Sequence, residues 1–599
     1  MSKARDNVLK LNAVVNVTDF GAKGDGTTDD TAALQAAANA LTSNGSLMFS
    51  RGHYIVSNDI VFTSLQNINV YSQGAKITQT GTAKKTLRFV SCIGVEVSGF
   101  HLVGKGTEFN GISTSFNGVS GIFFEACEDV FVHHNKLTNH AGGGIRWTTS
   151  ARRFVITENR VQGIGAAGGI ASLDNGNDVC IGSWVTPNES KDINISYNAL
   201  SDTAFGIFIA NGSNYVCVGN AIRSIPGQHG FYLTAQNNVS IVNNVLEDVE
   251  AIGIKLQVAD NNVNVENLTV SGNTIRNAGQ TGIAFEHTGV TNASFKNAVI
   301  SSNAIYNSLT QSGIIVMNTT GVLITGNVIG KMGQYGIDLR ASTGVISNNL
   351  IENTNANGII LISPTGDTFV QHNIVRNAVL NPNNTVNDDF NFYFRVNDAI
   401  AACNVYLTKN TFQQTGTVPT QFAASGLVWS TGANVNVYAD DNNNLTTKNW
   451  NAASAANLKL ANFGFSRNVG ANASAQASPS TPVYGFGRRE LHGTQSPQEA
   501  AMTDTFFEGD ICWHADPENR FLGWVCTSAG APGTWSIIGA QQTASATSIA
   551  NIGNAINTTD KFAGKLVWDT TNNRMVRANG ATAADVWHVI DGSATVTPS

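Results

Sequence analysis

Apolar and polar positions alternate in short runs along the chain, and eleven of those runs end on an asparagine: Asn135, Asn159, Asn198, Asn220, Asn244, Asn273, Asn303, Asn327, Asn349, Asn373 and Asn410. The intervals are 24, 39, 22, 24, 29, 30, 24, 22, 24 and 37 residues. A period in the twenties is the signature of a stacked solenoid. Before each asparagine the alternation, as in Val322-x-Ile324, predicts a strand with one buried face. After it comes a second short strand, as in Val328-Ile329. Eight to ten residues beyond nine of the asparagines stands a glycine followed by Ile or another apolar residue: Gly144, Gly169, Gly206, Gly230, Gly253, Gly282, Gly313, Gly336 and Gly358. This predicts a third strand. Three strands then make one coil, and coils stack about 4.8 Å apart. The asparagine is expected to mark a left-handed turn and to pair along the axis as an amide ladder.

Where the interval lengthens, loops are expected to bulge out, chiefly within 165–192 and 378–403. The third-strand register predicts two outward columns. The first holds Arg146, Ala171, Phe208, Tyr232, Lys255, Ala284, Ile315, Asp338 and Ile360. The second holds Thr148, Leu173, Ala210, Thr234, Gln257, Glu286, Met317, Arg340 and Ile362.

Residues 16–60 read differently. Thr28, Asp29 and Asp30 offer N-cap oxygens, and Ala33, Leu34, Ala37, Ala38 and Leu41 fall on one helical face. The helix is expected to close one end of the solenoid. The Asp25, Asp29, Asp30 cluster does not have calcium-loop spacing and is assigned to turns and capping. The stretch VTDFGAKGDGTTDDTAALQAA resembles the opening motif of the pectate-lyase-like superfamily, as found in phage tailspike depolymerases. With the repeats, the resemblance covers roughly 16–420. It implies an all-β, right-handed parallel β-helix that assembles as a homotrimer and binds and cuts a bacterial surface polysaccharide, capsule or O-antigen. It also implies a virion-tail location, with a phage tail or baseplate protein as partner through a missing or separate N-terminal anchor.

The expected organisation is an N-terminal strand and capping helix (1–60), the β-helix (61–420), an irregular connection (421–500), a small aromatic β module (501–540) and a C-terminal hairpin module (541–599). The last two resemble tailspike C-terminal modules that assist trimerisation or bind sugar.

Composition narrows the partners. The formal charge of −7 argues against nucleic acid, which wants a basic surface. No run has the length of a membrane helix, and the N-terminus lacks the apolar core of a secretory signal. The seven scattered cysteines are expected as buried free thiols of a protein made in the bacterial cytosol. Neither a metal nor a cofactor is expected. His133, His134 and His140 are expected as exposed turn residues.

Polysaccharide hydrolysis needs two carboxyl groups flanking the bond. Elimination needs a base and a cation that holds a uronate carboxylate. The outward columns put Glu286 and Asp338 two coils apart, with Tyr232, Lys255, Gln257, His287 and Arg340 around them as substrate-binding candidates. Three residues after the repeated asparagines, Arg223, Glu247 and Arg276 alternate in sign. That column is an ion-pair ladder or a sugar-binding wall, with Glu247, Asp248 and Glu250 as alternative acids and Arg276 as a substrate contact. Loop acids Asp174, Asp178 and Glu189, with Trp184 as a stacking platform, are a third option. Hydrolysis leads, with a polysaccharide lyase and a non-catalytic receptor-binding fibre as alternatives.

Overall fold

The computed structural model describes residues 14–105, 119–148, 151–165, 178–183, 190–258, 264–287, 293–378, 394–397, 403–413, 428–430, 435–440, 442–445, 458–459, 490–493, 508, 510–514, 523–530, 533–538, 542–559, 561–590 and 592–599. The chain divides into two units, Met1–Tyr484 and Gly485–Ser599.

In the first unit the strands pair in parallel, coil on coil. The strands after each asparagine form one 16-stranded sheet, from Asp25–Asp29 to Asn443–Leu445. The strands before each asparagine and those after each repeat glycine form two further stacks. These two are joined into one 30-stranded sheet, because strands such as Phe205–Val218 and Phe231–Val242 run through both. The alternating pattern buries one face: Ile300, Ile305, Phe285, Ile324 and Ile329 are almost wholly buried in one continuous apolar core.

The asparagines form the expected ladder. From Asn135 onward each Nδ2 donates to the Oδ1 of the next copy at 2.9–3.1 Å. The same oxygen accepts the backbone N–H of the previous copy, as in Asn303 N to Asn327 Oδ1 at 3.0 Å. The ladder reaches Asn442, 32 residues beyond Asn410, so stacking continues past the expected end near residue 420. The left-handed residue is not the asparagine but the one before it, such as His134, Asn243, Ser302 or Asn348. The amide is therefore spared for pairing inside. Two outer corners carry their own left-handed ladders, including Asn238 to Asn214 and Asn267 to Asn238, both at 2.9 Å, and Asn307 to Asn277 at 2.7 Å.

The repeat glycine has a steric cause. A Cβ on Gly282 would lie 2.4 Å from Ile305 Cγ2 and 2.7 Å from the Gly313 carbonyl oxygen. Coil 159–198 departs from expectation. Its third strand is Val179–Ser183, which pairs with Gly143–Arg146 and with Phe205–Ile209. Gly169, Ala171 and Leu173 lie outside the described residues.

Near the N-terminus, Asp30 accepts from the backbone N–H groups of Lys23 and Gly24 at 2.7 and 3.1 Å. Asp25 accepts from Thr27 and Thr28, and Asp29 from Thr31. These aspartates build turns, and Asp30 stands at the N-cap position of the helix Thr31–Ala40 without capping it, because its carboxylate is taken by Lys23 and Gly24. The helix's Leu34, Ala37 and Ala38 join the core.

In the second unit, Trp524, Cys526 and Trp535 are buried in a four-stranded sheet. Residues Leu566–Asp569 and Arg574–Ala578 form the expected hairpin within a five-stranded sheet. The six described cysteines whose state is resolved are free and buried. Among the described residues no helix is long and apolar enough to cross a membrane.

Candidate active site

The glycine stack turns one residue of every pair outward, and the leading candidates meet there. Tyr232 pairs in register with Lys255, and Thr234 with Gln257. Gln257 pairs with Glu286 one coil further on. Lys255 Nζ lies 2.9 Å from Glu286 Oε2, with the two side chains 15% and 21% exposed. Both charges are thus partly shielded while still open to a ligand. The ammonium also stands over the Tyr232 ring, 5.1 Å from its centroid, and the Tyr232 hydroxyl donates to Gln257 Oε1. Burial and the Glu286 charge push the Tyr232 phenol pKa up. His287, beside Glu286, has a buried Nε2 with no hydrogen-bond partner among the described residues.

Tyr232 is the edge of an aromatic cluster missing from the expected site. It stacks on Phe205 at 5.7 Å and meets Phe208 edge-on at 5.0 Å. His229 packs against it at 5.2 Å, and His229 Nδ1 accepts from the Ile252 backbone N–H at 3.2 Å. Burial, aided by Lys255, pushes the His229 pKa down to about 3, so the ring is neutral. The residue before each repeat glycine is a further outward column: Phe205, His229, Ile252, Thr281, Ser312 and Tyr335. Reading that column would have found Phe205 and His229.

Asp338 corrects an expectation. Its column faces away from the main core, as expected, yet the side chain is 0% exposed. Outward neighbours make small apolar clusters of their own, such as Ile252, Ala284 and Ile315, or Tyr335, Ala356 and Ile360. Arg340 covers the carboxylate, donating from Nε at 2.9 and 3.0 Å and from Nη2 at 2.5 Å. Burial pushes the Asp338 carboxyl upward against the pull of that guanidinium.

The column three residues after the asparagines behaves as an ion-pair ladder: Arg223 lies 3.3 Å from Glu247, and Arg376 pairs with Glu352. Arg276 follows Glu247 in register. Asp248 is left-handed and accepts from Asn277 at 2.8 Å as a rung of an outer ladder. Trp184, Asp174 and Glu189 lie outside the described residues. Asp178 is described, and burial raises its pKa to about 6 against the opposing charge of Arg146. His134 is an exposed turn residue as expected, whereas His133 ends a strand half-buried and His140 is buried. His140 is 1% exposed, and His133 and His134 pair with Glu96 and Glu158. Among the described residues no group of three or more His, Cys, Asp or Glu is placed to hold a metal ion.

Residues 14–284 match the family described as rhamnogalacturonase A/epimerase, pectate lyase-like. Residues 263–399 match the right handed beta helix region. Over residues 14–399 the chain is similar to pectate-lyase-like β-helix proteins. The first match ends inside the strand Ile283–His287 that carries Glu286. No curated protein matches the chain.

Among solved structures, the surface adhesin PfbA of Streptococcus pneumoniae is 14% identical, with a TM-score of 0.45 over 61% of this chain and 91% of that one. A hyperthermoactive exopolygalacturonase from Thermotoga maritima is 15% identical, with 0.40 over 59% and 87%. Tailspike protein 3 of bacteriophage CBA120 is 10% identical, with 0.41 over 97% and 69%.

Proposed function

We propose that the protein is a phage tailspike depolymerase that cuts within a bacterial capsular or O-antigen polysaccharide, acting as a homotrimer on the virion tail. The observation that carries the enzymatic reading is the Lys255–Glu286 pair at 2.9 Å, set beside the aromatic cluster of Tyr232, Phe205 and Phe208. Phe205 and Phe208 are themselves buried and back Tyr232, the half-buried ring of the cluster that a sugar can touch. The carboxylate is shielded enough to act on a proton and open enough to be touched.

Glu286 is the reacting carboxylate in this reading. Hydrolysis requires a second carboxyl group. Asp338 stands two coils away, about 10 Å between backbones, and reaches substrate only if Arg340 releases it. Elimination needs one base and a cation over a uronate carboxylate, and the Asp338–Arg340 fork favours that second reading.

Purified capsules and O-antigens from a strain panel separate the outcomes. Reducing ends without ultraviolet absorbance indicate hydrolysis. Reducing ends with the absorbance of an unsaturated uronate indicate elimination. Binding with neither product rejects the enzyme and leaves an adhesin. Sedimentation of the intact chain tests the trimer, and a monomer at working concentration would count against it.

A further inference from the structure

We infer that Asp338 is a positioning residue, and that Arg340, which it holds, selects a polysaccharide carrying an oxyanion substituent. The inference rests on the site proposed above and gives its substrate a chemical class.

Asp338 binds one edge of the guanidinium, through Nε and Nη2. The other edge, Nη1 and the second N–H of Nη2, has no hydrogen-bond partner among the described residues, and the side chain is 38% exposed. The column neighbours of Arg340 are Met317 on the coil before and Ile362 on the coil after. Both are apolar, so neither competes for those donors. A planar guanidinium held on one edge presents a second fork of two parallel N–H groups, the geometry that takes a carboxylate, sulfate or phosphate in bidentate fashion.

Lys255 is matched by Glu286 and Arg340 by Asp338, so neither cation carries excess charge, and what Arg340 has to spare is a hydrogen-bonding edge. An anion on Arg340 stands about two strand spacings, or roughly 10 Å, from the backbone of Glu286, and Lys255 shields that carboxylate. Burying Asp338 beneath the arginine fixes the fork before substrate arrives and lowers the ordering cost of binding.

The test uses the full chain with Glu286→Gln as a non-cleaving binder. It is titrated with purified bacterial surface polysaccharides, some bearing uronate, sulfate or phosphate and some neutral. Any uronate polymer that binds is also tested in its carboxyl-reduced form. Binding confined to anionic polymers is expected, and Arg340→Ala or removal of the anionic group should weaken it by roughly ten-fold or more. Arg340→Lys should not restore it, because an ammonium offers no fork. In the otherwise unaltered enzyme, Asp338→Asn should raise KM several-fold with kcat within about two-fold, the pattern of lost ground-state binding.

Equal binding of neutral polymers overturns the inference, as does indifference to Arg340→Ala. A collapse of kcat at constant KM in Asp338→Asn also overturns it and makes Asp338 the proton donor. If Asp338→Asn fails to fold, as its melting curve would reveal, the Arg340 pair of variants still decides. No polysaccharide bound or cut by the unaltered protein would reject the depolymerase reading itself. Cleavage that ignores Arg340 rejects this inference alone.

Discussion

Lys255 and Glu286 meet across a single coil step, Nζ to Oε2 at 2.9 Å, with the Tyr232 ring beneath the ammonium. Neither residue has such a partner on its own strand, so the pair exists only because the coils stack in register. Glu286→Gln keeps the shape of the side chain and removes its basicity. Turnover should fall by roughly 10²–10⁴-fold, the usual worth of a positioned acid or base, with the fold intact by circular dichroism. Glu247→Gln should leave turnover unchanged, since Glu247 pairs with Arg223 on another sheet. The reverse outcome would move the site to that sheet.

The amide ladder sets the second expectation. Asn273 is fully buried. It donates to Asn303 Oδ1 at 3.0 Å, and its own Oδ1 accepts from Asn244 at 3.0 Å. Asn273→Ala strands partners on both sides, and each buried orphan costs about 1–3 kcal/mol. Asn273→Asp should be worse, because it buries an uncompensated charge in the same place. Chemical denaturation of both variants checks the order.

Gly282 tests the glycine file. A methyl group there meets Ile305 and the Gly313 carbonyl at 2.4 and 2.7 Å. Gly282→Ala should destabilise by about 1–3 kcal/mol through overpacking. An unchanged melting temperature would mean that the coils part freely, against the close packing read from the backbone.

The buried histidines predict an acid limb in stability. Burial holds the His140 pKa down to about 4 and that of His229 to about 3, from 6.5. Above pH 6.5 both folded and unfolded histidines are neutral and add nothing. As pH falls below 6.5, the unfolded chain binds protons that the folded chain refuses. Stability is then lost at about 1.4 kcal/mol per pH unit for each histidine until its folded pKa is reached. Asp178 acts in the opposite sense. Raised from 3.8 to about 6, it keeps a proton when folded between those values and offsets part of the loss. Melting temperatures from pH 7 to 4 should therefore fall, and His140→Asn should flatten the fall.

The fold was legible because one amide recurs at one place in coil after coil from Asn135 onward, while Gly52, Ala75 and Phe100 hold that place in the coils before it. The arrangement of the candidate site was legible as columns, since register places Glu286 beside Gln257 and Lys255 near both. Exposure was not legible. Asp338 points away from the main core, yet Arg340 and neighbouring apolar side chains bury it, and alternation carries no record of such outer cover. The strand Val179–Ser183 was missed because Cys180 stands where the repeat has glycine, between the pairs Gly143–Val179 and Ile145–Ile181. The aromatic cluster was missed because Phe205 and His229 occupy the column before the glycine.

Pairing by identical rungs makes distance along this protein an integer. A residue can be moved by whole coils or not at all, and every coil of the asparagine ladder offers the same amide donor and acceptor to its two neighbours. Residues 304–327 are one such coil of 24 residues. Deleting them would join Asn303 to Val328 and hand the Asn303 amide to Asn349 without breaking the ladder. Arg340 would then stand one strand spacing from Glu286 instead of two. Insertion or loss of a coil is thus a way to retune the spacing of a binding site without redesigning its scaffold. A folded deletion variant with an altered choice of polysaccharide would display it, and one that fails to fold would refute it.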